Sequence, residues 1–144
     1  MSEEDERPVR QMRLVVHADD YEAALEFFRD VLGMPEQEAY AGDGGARVAI
    51  LDAGRATLEL SNPAQIEMID EVEVGRRGVA PRLRVAFEVP DVAVATAAAE
   101  RGGANVIAPP TRTPWDSLNS RLQAPAGLQI TLFQALVGDR PDPG

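Results

Sequence analysis

Charged and polar side chains that can bind or transform a small molecule recur on one side of several predicted strands. Arg13 and His17 share one side of the first strand, and Glu59 lies in the middle of a later one. Arg84 and Thr131 hold similar places in the second half of the chain. Successive side chains of a strand point to opposite faces, so each set faces one side of a sheet. Guanidinium, carboxylate and imidazole groups can orient a polar ligand or transfer a proton.

Glu59 and its expected arginine neighbours have two interpretations. In the first, the charges only satisfy one another inside the sheet, because buried charges need partners. In the second, the same cluster binds polar groups of a ligand. A general-base role for Glu59 is disfavoured, because nearby arginines stabilise its ionised form. His17 is the only histidine, and one His with one Glu does not make a metal site.

Aromatic residues are candidates for the wall of a cavity. Trp115 follows Thr113-Pro114 in a segment that leads from a loop into a strand. It is either a core residue or an aromatic surface that stacks on a flat ligand. Tyr40 and Phe133 are weaker candidates for the same role. Four polar residues after Pro114 are expected either at the rim or on a hairpin surface: Asp116, Ser117, Asn119 and Arg121.

The elements that would position these residues form two similar halves. In the first, a strand over 11–18 leads to Asp19-Asp20, which can cap a helix over 20–32 that ends at Gly33. In the second, a strand over 82–89 leads to Asp91 and an alanine-rich helix that ends at Gly102. Arg13 and Arg84 are 71 residues apart, and Glu59 and Thr131 are 72 apart. Unless this match is chance, the chain repeats a βαβββ module.

The predicted fold class is α+β, with two pseudo-symmetric βαβββ modules in a curled mixed sheet, a concave cavity and helices on the outer face. Further strands are predicted over 35–41, 46–51, 56–60, 105–108, 115–123 and 128–133. The predicted divisions are an acidic tail (1–10), the first module (11–62), a linker (63–81), the second module (82–135) and a C-terminal tail (136–144). The linker is expected to be irregular, with a short helix at Ala64–Ile69 left open.

Composition excludes several classes of function. A net charge of −10 argues against binding the nucleic-acid backbone. No apolar run approaches the roughly 20 residues of a membrane-spanning helix. The N-terminus is acidic and resembles no export signal, so a cytoplasmic protein is expected. The absence of cysteine excludes disulfides and thiol chemistry.

Four segments resemble the vicinal oxygen chelate superfamily, which includes glyoxalases, bleomycin-resistance proteins and dioxygenases. The segments are HADDYEAALEFFRDVLGM, ATLELSNP, RVAFEVPDV and WDSLNSRLQAPAGLQITLF, within residues 11–134. The resemblance implies two βαβββ modules whose concave face holds the site, in a homodimer. Whether the modules pair within one chain or swap between chains is left open.

The resemblance also implies four inward positions where metal-dependent relatives carry His or Glu. In this sequence they are Arg13, Glu59, Arg84 and Thr131. Arginine has no lone pair to donate, so Arg13 and Arg84 cannot bind a metal. We therefore expect neither a metal nor another cofactor, and no glyoxalase-type or dioxygenase chemistry.

The expected function is that of the metal-free, bleomycin-resistance-like relatives. Such a protein would sequester a bulky, partly aromatic compound, such as a natural-product antibiotic, in a cavity at the dimer interface. The expected ligand-binding residues are Arg13, His17, Tyr40, Glu59, Arg84, Trp115, Thr131 and Phe133. One alternative is a metal-free isomerase or lyase that uses Glu59 or His17. Another is a metal-dependent enzyme of the glyoxalase or dioxygenase type.

Overall fold

A computed structural model describes residues 11, 13–57, 59 and 61–136. Three α-helices lie at Tyr21–Leu25 (α1), Pro63–Val74 (α2) and Val92–Arg101 (α3). A π-helical segment, Glu26–Val31, continues α1. The strands are Glu36–Ala41 (β1), Arg47–Leu51 (β2), Val85–Glu88 (β3), Asn105–Arg112 (β4), Ser117–Gln123 (β5) and Gln129–Ala135 (β6). No described helix is long and apolar enough to cross a membrane.

The second half of the chain forms a complete βαβββ module. Its sheet has the order β3-β6-β5-β4, in which β3 runs parallel to β6 and the other neighbours are antiparallel. Asp91 caps α3 through its side chain, as expected from the sequence. The β4 strand continues beyond the predicted 105–108 to Arg112, with an irregular register between Ala108 and Thr111. Proline is tolerated where the ladder is interrupted, which explains how this strand includes Pro109-Pro110.

The apolar core lies between this sheet and the two helices on its outer side. Leu122, Ile130 and Leu132 project from β5 and β6 and are fully buried. They belong to one buried apolar cluster with Phe27 of the π-helical segment and Val92 of α3. Ala24 and Leu25 are also buried, as the apolar spacing of residues 20–32 indicates, but that spacing does not include Phe27. The α+β class with mixed sheets is confirmed, whereas of the three helices α2 does not lie on the outer face.

The first half of the chain differs from the prediction. Its helix is present, and Asp20 caps it by accepting a hydrogen bond from the backbone N–H of Ala23 at 3.1 Å. The strands β1 and β2 form a separate two-stranded sheet. The strands predicted over 11–18 and 56–60 are wrong for the described residues of both segments, none of which lies in a strand. A strand requires a hydrogen-bonded neighbour, and alternation in the sequence does not supply one.

The segment predicted to be an irregular linker contains the twelve-residue helix α2, which includes the short helix left open at Ala64–Ile69 and continues to Val74. Asn62 caps the helix by accepting a hydrogen bond from the N–H of Gln65 at 3.0 Å, and Pro63 begins it. Gly75 ends it in the left-handed conformation with φ of 85°. Two of its three buried residues, Asp70 and Glu73, are acids. A helix is recognised in sequence by apolar residues on its buried face, and acids at buried positions interrupt that pattern.

Candidate functional site

Helix α2 contributes two acidic side chains to a buried set of polar residues on β5 and β6. The set comprises Asp70 and Glu73 of α2, Asn119 and Arg121 of β5, and Gln129 and Thr131 of β6, and is called the polar cluster below. Each of these side chains is at least nine-tenths buried. On β5 and β6 they alternate with the apolar residues of the core. The cluster therefore includes the polar side of β6, which the sequence predicted through Thr131.

Arg121 is the centre of the polar cluster. Its Nε and Nη2 donate to Oε1 of Glu73 at 3.1 Å and 2.9 Å. Its Nη1 donates to Oδ1 of Asp70 and to Oε1 of Gln129, both at 2.9 Å. The side chain is 0% exposed. Two carboxylates thus surround one guanidinium, and the planar donor geometry of arginine fixes their positions.

The second oxygen of Asp70 is bound by the backbone that follows α2. Oδ2 accepts hydrogen bonds from the N–H groups of Val79 at 2.9 Å and Ala80 at 3.0 Å. Burial by itself would raise the pKa of Asp70, but the hydrogen bonds from Ala80, Arg121 and Val79 outweigh it. The pKa of Asp70 is consequently lower than that of an ordinary aspartate, and the ionised form is favoured.

A chain of hydrogen bonds continues from Glu73 along the sheet. The Nδ2 of Asn119 donates to Oε2 of Glu73 at 2.8 Å, and Oδ1 of Asn119 accepts from the hydroxyl of Ser117 at 2.6 Å. The hydroxyls of Ser117 and Thr113 lie 2.8 Å apart. These contacts satisfy the buried polar atoms in a continuous network, which holds each side chain in one orientation.

Arg84 lies at the margin of the polar cluster, just before β3. Its Nη1 donates to Oγ1 of Thr131 at 2.5 Å, and the Thr131 hydroxyl donates to Oε1 of Glu73 at 3.3 Å. Burial lowers the pKa of Arg84, and the positive charge of Arg121 lowers it further. Three acids, Glu73, Glu59 and Asp70, act in the opposite direction without cancelling the shift. Arg84 is therefore a half-buried cation that lies close to three acids.

Four of the expected ligand-binding residues belong to this region. Arg84 and Thr131 are in direct contact, and Glu59 is close enough for its charge to act on Arg84. Phe133 follows Thr131 by two residues on β6, lies opposite Asn119, and is partly buried. Residues two apart on a strand share a face, so Phe133 and Thr131 do so. The structure therefore places an aromatic ring on the same face as Thr131.

The structure does not bring three other expected residues to this face. The Nε of Arg13 donates to Gln11, and the imidazole of His17, 89% exposed, pairs with Asp19 at 3.1 Å. Tyr40 is 60% exposed, and its hydroxyl donates to Glu38. That hydrogen bond raises the pKa of Tyr40. These side chains belong to the first half of the chain, where the predicted strand over 11–18 is absent from the described residues.

Trp115 lies in the turn between β4 and β5, far from Arg84. Val85, next to Arg84, pairs with Ile130 of β6, and Ser117, two residues after Trp115, pairs with Ala135. Ile130 and Ala135 are separated by about 17 Å along the strand. The indole Nε1 is buried and has no hydrogen-bond partner among the described residues. Trp115 and Arg84 therefore cannot contact the same small group of a ligand in this arrangement.

Sequence reasoning missed the centre of the site. Arg121 and Asn119 were expected at a rim or on a surface, yet both are fully buried. Asp70 and Glu73 were assigned to an irregular linker. Two signals in the sequence point to them: the alternation of Ser117, Asn119 and Arg121 along β5, and two acids three residues apart, which share a helix face.

The chemistry of these residues does not fit the divalent metal of the metal-dependent relatives. At the four corresponding positions the side chains are two guanidiniums, a hydroxyl and one carboxylate. Guanidinium offers no lone pair and repels a cation. The described residues contain no group of three or more His, Asp or Glu side chains that could hold a metal ion. The arrangement can instead donate hydrogen bonds to anionic or carbonyl oxygens.

An open groove of about 550 Å³ lies elsewhere on the protein. It is lined by Ala18–Glu22, Gly45 and Arg47. The guanidinium of Arg47 lies 4.6 Å from the centre of the Tyr21 ring and pairs with Glu22. This cation is already paired, and the groove contains none of the polar cluster. We therefore locate the candidate site at the polar cluster and Arg84.

Comparisons with known proteins agree with this fold. Residues 10–132 match the family described as the Glyoxalase/Bleomycin resistance protein/Dioxygenase superfamily. A glyoxalase family protein from Bacillus cereus is similar in structure, with a TM-score of 0.56 at 14% identity, over 90% of this chain and 99% of that one. A lactoylglutathione lyase from Agrobacterium tumefaciens has a TM-score of 0.54 at 23% identity, over 93% and 100%. A glyoxalase-related enzyme from Fulvimarina pelagi has 0.53 at 15%, over 88% of each chain. A search of curated proteins finds no match.

Proposed function

The chain belongs to the glyoxalase, bleomycin-resistance and dioxygenase superfamily, and from that premise we propose that it is a metal-independent small-molecule-binding protein. It sequesters a bulky, partly aromatic compound, of the kind met in antibiotic resistance, on the polar face of the second module. The site acts in a homodimer, with the cavity at the interface between two copies. The ligand is held and released intact.

One observation carries this proposal: the contact between Arg84 and Thr131. These residues stand at two of the four positions where metal-dependent members of the family carry His or Glu. In this chain they hydrogen-bond to each other at 2.5 Å, and neither charge nor geometry suits a metal ion. Arg84 has further N–H donors besides the one that it donates to Thr131, so it suits the oxygen atoms of a ligand.

The surroundings of this contact suit an organic ligand. Phe133 shares a face with Thr131 and supplies a flat apolar surface for an aromatic group. Glu59 adds a negative charge near Arg84 that can accept a hydrogen bond from a ligand donor. A few fixed polar groups beside an aromatic side chain are typical of sites that orient a small molecule.

Sequestration requires no bond to break, and the polar groups serve only for recognition. Arg84 remains charged at any physiological pH despite its lowered pKa, because an arginine begins far above neutrality. It therefore acts as a permanent electrostatic anchor and not as a proton donor. The Thr131 hydroxyl accepts a hydrogen bond from the Arg84 guanidinium and so fixes the position of the guanidinium.

A thermal-shift screen of the metal-stripped protein tests the proposal. The protein is mixed with a panel of aromatic antibiotics and metabolites. Each compound that raises the melting temperature is recovered, and mass spectrometry shows whether its molecular mass has changed. A ligand that binds only the folded state must raise the melting temperature by mass action. We expect hits that are recovered chemically intact and that are lost in Arg84→Met.

Other outcomes would favour the alternatives. Turnover of a hit that disappears in Glu59→Gln or in His17→Gln would indicate a metal-free isomerase or lyase. Binding that appears only after a transition metal is added would indicate a metal-dependent enzyme and would overturn the proposal.

A further inference from the structure

Helix α2 is attached to the sheet mainly by charged groups. Of its three buried residues, only Ile69 is apolar, and the other two are Asp70 and Glu73. Apolar burial would stabilise a docked helix, whereas a buried ion pair contributes little compared with apolar residues of the same size. The contacts that hold α2 over the inner face are thus the same contacts that neutralise Arg121.

The sheet beneath α2 is arranged to receive two carboxylates. Arg121 donates to both Asp70 and Glu73, and the amide of Asn119 donates to the second oxygen of Glu73. The hydroxyl of Thr131 donates to Glu73 as well. Every one of these groups is a donor that belongs to the sheet, and both acceptors belong to the helix.

Without α2, these donors would form a surface that can bind anions. Arg121 would lose both of its carboxylate partners, and Arg84 would lose the nearby negative charges of Glu73 and Asp70. Two guanidinium charges on a partly buried face are costly unless anions neutralise them. An anionic ligand would therefore be favoured on the exposed face.

The chain at the end of α2 can change direction. Gly75 and Gly78 both have positive φ, at 85° and 78°, and they are exposed. Glycine adopts such conformations without steric cost and is often found where a segment pivots. The hydrogen bonds of Val79 and Ala80 to Asp70 tie this segment to the helix. A movement of α2 that frees Asp70 would also free this segment.

We propose that the site takes a ligand with two carboxylate groups, and that α2 closes the site in the free protein by placing Asp70 and Glu73 where the ligand carboxylates bind. This inference rests on the proposed function and specifies its ligand class. The ligand carboxylates replace those of the helix at Arg121, and Arg84 neutralises the additional charge. The aromatic part of the ligand lies on Phe133.

Competition between helix and ligand has a measurable consequence. If only the open form binds, the apparent affinity is the intrinsic affinity multiplied by the fraction of open molecules. Replacing Glu73 by Gln removes one competing charge, keeps the size of the side chain, and leaves one acceptor oxygen where Asn119 and Arg121 now use two. This change should raise the open fraction and tighten binding of a dicarboxylate.

The experiment is isothermal titration calorimetry with naphthalenedicarboxylate and with its uncharged dimethyl ester. The proteins are the wild type, Glu73→Gln and the control Glu71→Gln. Glu71 lies on the same helix but is exposed, where it pairs with Arg77, so the control loses the same charge outside the cluster. We expect the dicarboxylate to bind one per chain and to bind Glu73→Gln about tenfold more tightly than the wild type. Glu71→Gln should match the wild type, and the ester should bind at least about tenfold more weakly.

Hydrogen exchange provides a second measurement that needs no variant. If the dicarboxylate replaces the helix carboxylates, the amides of Ile66–Val74 should exchange faster in its presence and not in the presence of the ester. Slower or unchanged exchange in α2 on binding would overturn the inference. So would equal affinity for acid and ester, or no binding of the dicarboxylate to folded Glu73→Gln. An ester that binds well without metal would contradict the ligand class alone and would leave the proposed function standing.

Discussion

Arg121 and Glu73 lie 2.9 Å apart, and neither side chain is exposed to solvent. One belongs to the third strand of the second module and the other to a helix that precedes the module, 48 residues earlier. This pair joins the segment between the two halves of the chain to the inner face of the sheet. Glu73 occupies the Arg121 guanidinium, to which we assign ligand binding. The same contact therefore contributes to the stability of the fold and competes with the ligand.

Arg121→Met should lower the free energy of unfolding by about 3–5 kcal/mol. The change leaves Asp70 and Glu73 buried without their cation, and an unpaired buried charge costs far more than the pair contributes. Denaturation by urea at neutral pH measures the effect. Arg77→Met is the control, because Arg77 pairs with Glu67 and Glu71 on the surface, where ion pairs contribute little. Equal effects for the two substitutions would contradict the structural role of the cluster.

Stability should fall in acid partly through Asp70. Its pKa in the folded state is lowered, so the folded protein binds this proton less readily than the unfolded chain does. The contribution is complete above the ordinary aspartate pKa of about 4, and it is lost as the pH falls from there through the folded value. Urea denaturation between neutral pH and strong acid should show wild type and Asp70→Asn converging at low pH. A stability difference that does not change with pH would refute this role of Asp70.

Gly102→Ala should destabilise the protein by about 1–3 kcal/mol through a clash between two helices. A Cβ at position 102 would lie 2.7 Å from Cγ2 of Val31 and 2.9 Å from its Cγ1. Val31 is β-branched and stiff, so it cannot easily move aside. The loss should be smaller when Gly102→Ala is made in a Val31→Ala background, which a double-mutant cycle measures. Gly42→Ala, whose new Cβ would approach nothing closer than 3.7 Å, serves as the control.

Ala126→Gly should stabilise the protein by about 0.5–1 kcal/mol. Ala126 has φ of 70° in the turn between β5 and β6, a conformation that costs an alanine energy and a glycine almost none. Gly127 has φ of 69° in the same turn, so Gly127→Ala should have the opposite effect. Thermal denaturation of the two variants gives the sign of each change. A lower melting temperature for Ala126→Gly would show that the turn does not carry this strain.

The sequence predicted those parts of the fold that depend on neighbouring residues. The helix from Asp91 to Gly102 has a side-chain cap at its start, and its position was predicted within a residue or two. The last strand was predicted from alternation between Leu128 and Phe133, and it forms as expected. Capping and alternation are local properties, so the sequence records them directly.

The parts that were missed depend on partners far away in the chain. The segment 13–18 alternates as a strand would, but the described residues provide no neighbouring strand for it. Arg121 is buried because Glu73 and Asp70 of α2 bind it. The residues next to Arg121 in the sequence do not indicate these partners. For the same reason the contact of Arg84 with Thr131 was predicted only as a shared face, through the repeat and the family resemblance.

Equilibrium dialysis of a hit from the thermal-shift screen tests the central claim most directly. The metal-stripped wild type and Arg84→Met are dialysed against the compound with a chelator present. The concentrations and molecular masses of bound and free compound are measured by mass spectrometry. Our account predicts one intact molecule bound per chain of the wild type, and at least about tenfold weaker binding to folded Arg84→Met, which has lost its charged anchor. Binding that needs added metal, a compound recovered chemically changed, or full affinity in Arg84→Met would contradict it.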